Sequence, residues 1–152
     1  MEIQIEPLSS GEQAPLDLLK LADPSEKMVA FYLSQGECFV AKESNAVVGV
    51  IISMKTKPDT FEIMAIAVKT EMQNKGIGKR LIAFVREKVK KTGAKYLEIG
   101  TGNPGVQQML LYQKCGFRIV GVDLDYFRRN HDEKIMVNGI ECRDMIRMQM
   151  EL

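Results

Sequence analysis

Apolar residues recur every three to four positions over residues 77–91, which is the spacing of one face of an α-helix. Ile77, Leu81 and Val85 begin this stripe, and lysine, arginine and glutamate occupy most of the positions between its members. An apolar, strand-like run over residues 61–68 precedes it. The pattern therefore predicts a strand, a short polar turn and an amphipathic helix in the middle of the chain.

The rest of the pattern predicts a chain in which strands and helices alternate. Alternating or β-branched runs indicate strands, and runs with helical spacing indicate helices. The resulting order is typical of an α/β (α+β) domain with a mixed sheet. Residues 125–139 are polar and irregular. The predicted strands are 1–7, 38–41, 47–54, 60–69, 96–100, 117–122 and 140–150, and the predicted helices are 14–22, 26–33, 77–91 and 106–114.

Composition and charge narrow the class of protein. The 152 residues are 45% hydrophobic and 27% charged, which is typical of one folded domain spanning residues 1–152. The formal net charge of +1 gives no electrostatic reason for binding nucleic acid or a membrane surface. No apolar run approaches the ~20 residues of a membrane span, and the N-terminus lacks a secretion signal. We therefore expect a cytoplasmic protein with neither nucleic acid nor membrane as a partner.

The cysteines and the histidine give no metal motif. Cys38, Cys115 and Cys142 are widely spaced, and His131 is the sole histidine. A structural zinc site needs about four such ligands, usually at close spacing. We expect no bound metal, and three reduced thiols.

A glycine-bearing turn, residues 73–79, connects the central strand to the central helix. The first N–H groups of a helix have no partner within the helix, and the helix dipole adds about half a positive charge there. Gly76 and Gly78 lack the Cβ atoms that would keep an anion from the backbone. Lys75 and Lys79 add positive charge. The turn therefore predicts a phosphate site.

Two common phosphate motifs do not fit this turn. A P-loop needs Ser or Thr where Arg80 follows Gly78-Lys79, and the dinucleotide fingerprint needs glycine at Leu81. The spacing Gln73-x-x-Gly76-x-Gly78 instead resembles the acetyl-CoA loop of the Gcn5-related N-acetyltransferases, the GNAT family. The resemblance implies that loop amides hold the pyrophosphate of coenzyme A. The implied contacts are Gln73, Asn74, Lys75, Gly76, Ile77, Gly78 and Lys79.

The resemblance covers almost the whole chain and is best over residues 62–117. Residues 101–103, 112–117 and 142–146 resemble small, little-characterised bacterial acetyltransferases, some of which are labelled indole-acetic-acid (IAA) acetyltransferase. That label does not define the substrate. The family fold is a single domain with a mixed, mostly antiparallel sheet and helices on both faces.

The resemblance also implies roles for the central strand. Ile66, Ala67 and Val68 match the family strand that splays from its neighbour and pairs with the pantetheine arm of the cofactor. The N–H of Val68 is implied to lie near the thioester oxygen, in an oxyanion-type role. Small side chains at Ala65 and Ala67 suit close approach by a ligand, and equally suit tight helix-on-sheet packing.

Asn103 departs from the family spacing. An asparagine that contacts the cofactor usually precedes the family tyrosine by seven residues, and that position is Gly105 here. Asn103 precedes Tyr112 by nine. Either the turn bulges so that Asn103 still contacts the cofactor, or Asn103 caps the following helix.

Tyr112 is the implied general acid, because it lies in a block that ends in the family pattern Tyr-x-x-x-Gly-Phe. A phenol of pKa ~10 can protonate a thiolate whose conjugate acid has a pKa of ~8.5 only if the site lowers the phenol pKa or product binding drives the step. The alternative is a tyrosine that packs on the sheet with its hydroxyl at the rim.

Two carboxylates compete for the role of general base. Glu62 lies on the cofactor strand, where histone-type members carry their base, and is expected to share a strand face with Met64, Ile66 and Val68. Glu98 lies where ribosomal-protein members carry theirs. A carboxylate on a mostly apolar strand is unfavourable unless it is paired or functional, which slightly favours Glu62.

These residues together imply an acetyl-CoA-dependent N-acetyltransferase. It would acetylate a primary amine of a small molecule or protein by direct attack in a ternary complex. The alternative is a non-catalytic acyl-CoA-binding sensor. The acceptor site is expected among the N-terminal helices and residues 123–138. An exposed edge of the C-terminal strand could pair across a homodimer.

Overall fold

A computed structural model describes residues 2–152. Its elements follow the predicted order closely, and several strands extend beyond their predicted ends. They are β1 (Gln4–Pro7), α1 (Leu16–Ala22), α2 (Glu26–Gln35), β2 (Glu37–Glu43), β3 (Ala46–Lys57), β4 (Thr60–Val68), a 3₁₀ turn (Thr70–Met72), α3 (Ile77–Lys90), β5 (Tyr96–Gly102), α4 (Val106–Lys114), β6 (Arg118–Asp123), α5 (Tyr126–Asn130), β7 (Met136–Val137), β8 (Ile140–Glu141) and β9 (Met145–Glu151).

Seven of these strands form one sheet in the order β1-β2-β3-β4-β5-β9-β6. Its neighbouring strands are antiparallel except for β4 and β5, which run parallel. Helices α3 and α4 pack in the hydrophobic cluster on one face, and α1 and α2 pack in the cluster on the other. The predicted mixed sheet with helices on both faces is confirmed.

Helix α3 forms where the apolar stripe predicts it. Ile77, Leu81, Val85 and Val89 are each at most 3% exposed and lie against the sheet. Burying side chains of this size stabilises the fold by roughly 1.5–3 kcal/mol each. This burial fixes the start of α3, and with it the position of the glycine turn.

A bulge in β4 changes which residues share a face. Ile52 pairs with Ala65 and Ser53 pairs with Ile63, so Met64 has no partner on β3. An extra residue in one strand breaks the strict alternation of side chains.

The bulge overturns one expectation about Glu62. Ile66 and Val68 pack in the cluster that contains α3, whereas Met64 packs in the cluster that contains α1 and α2. The prediction that Glu62 shares a face with Ile66 and Val68 is therefore wrong.

The chain between residues 125 and 145 is more ordered than its polarity predicts. It contains α5 and the β7–β8 hairpin, and β9 begins at Met145 rather than at residue 140. The side chain of Asn103 forms hydrogen bonds with the backbone that precedes β9. Its Oδ1 accepts hydrogen bonds from the N–H groups of Arg143 (2.8 Å) and Asp144 (3.0 Å), and its Nδ2 donates to the carbonyl of Glu141 (3.1 Å).

The C-terminal strand is not an edge. β9 lies between β5 and β6, so both of its sides are paired. The expectation of an exposed C-terminal strand is wrong, because β6 pairs on the far side of β9. The edges of this sheet are β1 and β6, and a homodimer stays a prediction.

Helix length bears on membrane insertion. α3, with 14 residues, is below the ~20 residues that a helix needs to cross a bilayer. Across residues 2–152, no helix is both long and apolar enough for that.

Candidate functional site

The parallel strands β4 and β5 separate partway along their length. They pair from Thr60–Tyr96 to Ile63–Ile99. Beyond that point β4 continues beside β3 as far as Val68, and β5 continues beside β9 as far as Gly102. The backbone of β4 after Ile63 therefore has no strand partner on its β5 side. Buried backbone groups need hydrogen-bond partners, so this gap is suited to an extended ligand.

A groove of about 500 Å³, here called the β4–β5 groove, lies along the part of β4 that no longer pairs with β5. Leu21 of α1 lines it from one side of the sheet, and Leu111 and Tyr112 of α4 line it from the other. The groove therefore reaches both faces of the sheet beside the end of β4. The sequence-predicted residues that line it are Ile66, Ala67, Val68, Gln73, Asn74, Gly76, Ile77, Gly78, Lys79 and Tyr112.

The glycine turn closes one end of this groove. Gly76 has φ of +83°, and a Cβ built on it would meet no atom within 4 Å. No side chain caps the N-terminus of α3. The first amides of α3 are therefore free to bind an anion, and the open space above Gly76 admits one. These features fit the diphosphate of coenzyme A.

The polar side chains of the turn and of the start of α3 differ in what they contact. Gln73 Nε2 donates to the carbonyl of Val68 at 3.1 Å, which ties the turn to the end of β4. Arg80 Nη2 donates to the carbonyl of Ile3 at 2.8 Å, so its guanidinium serves the β1 side of the fold. Lys79 lines the groove, whereas Lys75 belongs to the same turn but does not line the cavity.

Asn103 lies away from the groove lining. Both of its side-chain polar atoms are bound to the backbone of residues 141–144. The family position for the cofactor asparagine, Gly105, precedes α4, and a Cβ there would collide with the Thr101 hydroxyl and lie 3.0 Å from the Gly102 carbonyl oxygen. The tight turn therefore leaves no room for an asparagine at that position.

Tyr112 is 4% exposed and packs edge-on against Phe117, with ring centroids 6.2 Å apart. Burial raises the pKa of its phenol well above the usual range. The surroundings of Tyr112 therefore do not lower the phenol pKa, which was one of the two routes for a tyrosine acid. The hydroxyl stays protonated at neutral pH and can donate a hydrogen bond.

Glu62 and Glu98 lie opposite each other in the β4–β5 pair. Glu62 Oε2 accepts a hydrogen bond from Arg147 Nη1 at 3.1 Å, and Glu98 Oε2 accepts one from Gln149 Nε2 at 2.8 Å. Both line a cavity of about 470 Å³, here called the carboxylate pocket, together with Lys57, Arg147 and residues 120–123.

The surroundings of Glu62 affect its protonation in opposite directions. Burial raises the pKa of the Glu62 carboxyl, the Arg147 guanidinium lowers it, and the neighbouring Glu98 carboxylate raises it. The net pKa lies above the usual range for glutamate. Glu62 is therefore a better proton acceptor than an exposed glutamate would be.

The segment predicted to hold the acceptor packs beside this pocket. Arg147 lies over the ring of Tyr126, 5.2 Å from its centroid, and also pairs with Asp123 at 3.5 Å. His131 Nε2 lies 2.8 Å from Asp23 Oδ1, which joins α5 to the junction between α1 and α2. The two predicted parts of the acceptor site are thus in contact.

The three cysteine thiols lie in surroundings that raise their pKa values. Burial raises the pKa of the Cys115 and Cys142 thiols and raises that of Cys38 to about 11. Reactive cysteines have lowered values, so none of these is an activated nucleophile. Residues 2–152 contain no cluster of three or more His, Cys, Asp or Glu side chains placed to hold a metal ion.

Several lining residues were not predicted from the sequence. Arg147 reaches Glu62 from a strand 85 positions later, and no local spacing signals that contact. Leu21 is 60% exposed yet lines the β4–β5 groove. Gln107, Gln108 and Lys114 follow from α4 facing the groove, which helical periodicity can indicate only once the groove is located.

Comparison with known proteins gives the same picture. The Acetyltransferase (GNAT) family matches residues 5–117. The Bacillus subtilis (strain 168) protein "Uncharacterized N-acetyltransferase YvbK" is 52% identical over 90% of this chain and 88% of its own length.

Two solved structures are similar over nearly their full length. The "IAA acetyltransferase from Bacillus cereus ATCC 14579" has 50% identity and a TM-score of 0.93, and covers 99% of this chain and 100% of its own. A GNAT family acetyltransferase from Elizabethkingia anophelis, with acetyl-CoA bound, has 45% identity and a TM-score of 0.96, and covers 99% of this chain and 98% of its own. The chain therefore belongs to the Acetyltransferase (GNAT) family and is an acyltransferase that uses acetyl-CoA.

Proposed function

We propose that the protein transfers the acetyl group of acetyl-CoA to a primary amine of a small molecule or protein, by direct attack in a ternary complex. The observation that carries this proposal is the meeting of two cavities on one strand. Ile66, Ala67 and Val68 of β4 line the β4–β5 groove, and Glu62 of β4 lines the carboxylate pocket. A cofactor and an acceptor can therefore reach the same segment from different sides.

The holding roles fall to backbone groups. Amides of residues 73–79 would hold the diphosphate, and the free side of β4 at residues 66–68 would pair with the pantetheine arm. The N–H of Val68 would donate to the thioester oxygen as negative charge develops there. The acyl group supplies the electrophile. The contacts with the diphosphate, the pantetheine arm and the thioester oxygen all come from main-chain atoms, which a side-chain substitution leaves in place.

Glu62 is the proposed base. It lies six positions before Val68, about 20 Å along the strand, so the proton from the acceptor ammonium would reach it through a chain of water molecules. Glu98 shares the pocket and remains the alternative. Tyr112 would donate a hydrogen bond to the departing sulfur.

A ternary complex is favoured over an acetylated enzyme. The three cysteines have raised pKa values, and Cys115 lines a cavity other than the carboxylate pocket. A covalent intermediate needs an activated nucleophile beside the acyl group, and the described residues place none there. The name of the Bacillus cereus relative includes IAA, so this compound belongs in an acceptor screen beside the primary amines.

The direct test is free-thiol release from acetyl-CoA in the presence of an amine library. We expect release that depends on both substrates, with intersecting initial-velocity lines because both must be bound before transfer. Parallel lines would contradict direct attack. Binding of acetyl-CoA without release by any amine would support the sensor alternative.

Gly76→Val tests the diphosphate cradle. The substitution places a branched side chain at a φ of +83° in the space above the turn, and we expect the acetyl-CoA KM to rise about tenfold or more. Gly93→Val is the matched control, because Gly93 also has positive φ (+86°) and open surroundings beyond the far end of α3. Both variants should lose similar stability in thermal denaturation. An equal rise in KM for both would remove the cradle assignment.

Tyr112→Phe tests the hydrogen bond to the leaving sulfur. Because the ring stays packed against Phe117, we expect kcat to fall about 10²-fold with little change in KM or melting temperature. Tyr96→Phe, on β5 outside the groove lining, controls for loss of a phenol. An unaltered kcat in Tyr112→Phe would show that the thiolate is stabilised elsewhere.

The pH profile distinguishes the two carboxylates. Activity needs the base unprotonated, so kcat/KM should fall at low pH as Glu62 takes up a proton. Arg147→Gln removes the group that lowers the Glu62 pKa and should move this acidic limb to higher pH. Glu98→Gln removes a group that raises it and should move the limb to lower pH. Comparing variants on one acceptor cancels the titration of the acceptor itself.

Opposite shifts support Glu62 as the base. If Glu98→Gln instead abolishes activity while Glu62→Gln retains it, the roles are reversed. Lys57 and Asp123 also line this pocket, Tyr126 packs against Arg147, and all three residues stay unchanged in both variants.

A further inference from the structure

A buried histidine–carboxylate pair lies outside the β4–β5 groove and the carboxylate pocket and has no role in the reaction proposed above. His131 Nε2 lies 2.8 Å from Asp23 Oδ1, and the two side chains are 5% and 11% exposed. The contact joins the end of α5 to the end of α1, across 108 positions of the chain. Within residues 2–152, His131 Nδ1 has no hydrogen-bond partner. The contact with Asp23 therefore sets the orientation of the imidazole ring.

Asp23 also contacts α2. Its Oδ1 accepts a hydrogen bond from the N–H of Ser25 at 2.9 Å, and its Oδ2 accepts one from the hydroxyl of Tyr32 at 3.4 Å. A buried carboxylate is stable only when hydrogen bonds or opposite charges satisfy it, so each of these partners restrains the others. Asp23 therefore links the position of His131 to that of the Tyr32 hydroxyl.

Tyr126 connects Tyr32 to the proposed base. Its hydroxyl is a hydrogen-bond partner of the Tyr32 hydroxyl. The guanidinium of Arg147 lies 5.2 Å from the centroid of the Tyr126 ring, and Arg147 Nη1 donates to Glu62 Oε2 at 3.1 Å. A series of side-chain contacts therefore runs from His131 to Glu62.

We propose that His131 and Asp23 are positioning residues for the base. The pair holds Tyr126 against Arg147 and so keeps Arg147 paired with Glu62. The inference rests on the proposed function, in which Glu62 accepts a proton from the acceptor. Neither member of the pair lines the two cavities of that function, so both act through Arg147.

Arg147 has more than one partner, so its position needs support. Its Nη2 also lies 3.5 Å from Asp123 Oδ2, and its side chain is 32% exposed, which lets solvent compete for it. An aromatic ring attracts a guanidinium that stacks on its face and restricts where that group can lie. The position of Tyr126 therefore affects how well Arg147 pairs with Glu62.

α5 needs tertiary contacts to hold Tyr126 in place. It has five residues, and a helix of this length is not stable by itself. Its arginines pair with Glu141 and Asp123, but both arginine side chains are at least 50% exposed, and such pairs contribute little in water. The buried pair of His131 and Asp23 instead fixes the end of α5 to the two N-terminal helices.

Several charged and titratable groups face Glu62 and influence its titration. They come from the strands on either side of it and from α5, and they are Arg147, Glu98, Lys57, Asp123 and Tyr126. A substitution at His131 or Asp23 leaves all of them in the protein. A change in the titration of Glu62 in such a variant would therefore report a change in position or a direct effect of the lost charge.

The test is the acidic limb of the pH profile of kcat/KM, measured on one acceptor. His131→Gln and Asp23→Asn should each move the limb to higher pH by about half a unit, in the same direction as Arg147→Gln, because Arg147 would pair less well with Glu62. A direct effect of the lost charge predicts the opposite shift for Asp23→Asn, since that substitution removes a negative charge. The direction of the Asp23→Asn shift therefore separates the two explanations.

A double-mutant cycle shows whether the pair acts through Arg147. In an Arg147→Gln background, His131→Gln should produce no further shift. Lys20→Gln is the matched control, because it removes an exposed ion pair with Glu26 across the same junction of α1 and α2. The control should leave the limb in place.

Tyr126→Phe provides a milder substitution if Asp23→Asn fails to fold, as judged by thermal denaturation. It keeps the ring under Arg147 and removes the hydroxyl that contacts Tyr32, so it should move the limb to higher pH as well.

An unchanged limb in His131→Gln and Tyr126→Phe would overturn the positioning role, as would shifts that add fully in the double variant or a shift of Asp23→Asn to lower pH. In each of these outcomes the base assignment stands as long as Arg147→Gln moves the limb. If Arg147→Gln leaves the limb in place, the assignment of Glu62 as the base fails, and the inference fails with it.

Discussion

β4 and β5 stop pairing after four residues, and the site depends on this separation. Within a sheet, each strand normally satisfies the backbone groups of its neighbour. Here β4 stays paired with β3 and β5 stays paired with β9, while the facing sides of β4 and β5 separate. The fold therefore maintains a gap with unpaired main-chain groups at the centre of the molecule. A ligand that can act as a strand is the natural partner for such a gap, and the pantetheine arm has the required amides.

Because of the bulge at Met64, the side chains at the two ends of β4 lie in different surroundings. Before it, Glu62 lies on the face that Arg147 and Gln149 occupy from β9. After it, Ile66 and Val68 pack toward α3, so the strand turns its apolar residues to the helix that begins with the glycine turn. A strand with strict alternation would place Glu62 and Ile66 on one face, in conflict with the packing of α3. The extra residue permits a polar pocket and an apolar core along a single strand.

The sequence predicted the parts of the structure that local patterns encode. The stripe from Ile77 to Val89 fixed α3, and Gly76 and Gly78 identified the turn from spacing alone. The bulge carries no such signal, because Met64 is as apolar as its neighbours. For Asn103 the sequence left a cofactor contact and a helix cap open, and no local spacing signals that its amide binds backbone some 40 residues away. The contact between Arg147 and Glu62 likewise depends on the strand order, which brings β9 next to β5.

Burial acts on the proposed base and the proposed acid with opposite consequences. It raises the pKa of Glu62, which makes that carboxylate a stronger acceptor for an ammonium proton. It raises the pKa of Tyr112 further still, so that full proton transfer from the phenol to a thiolate would be unfavourable. In the proposed reaction, deprotonation of the acceptor by Glu62 is therefore more favourable than protonation of the leaving group by Tyr112. In the proposed reaction Tyr112 stabilises the thiolate as a hydrogen-bond donor, and the thiol proton comes from water as the product leaves.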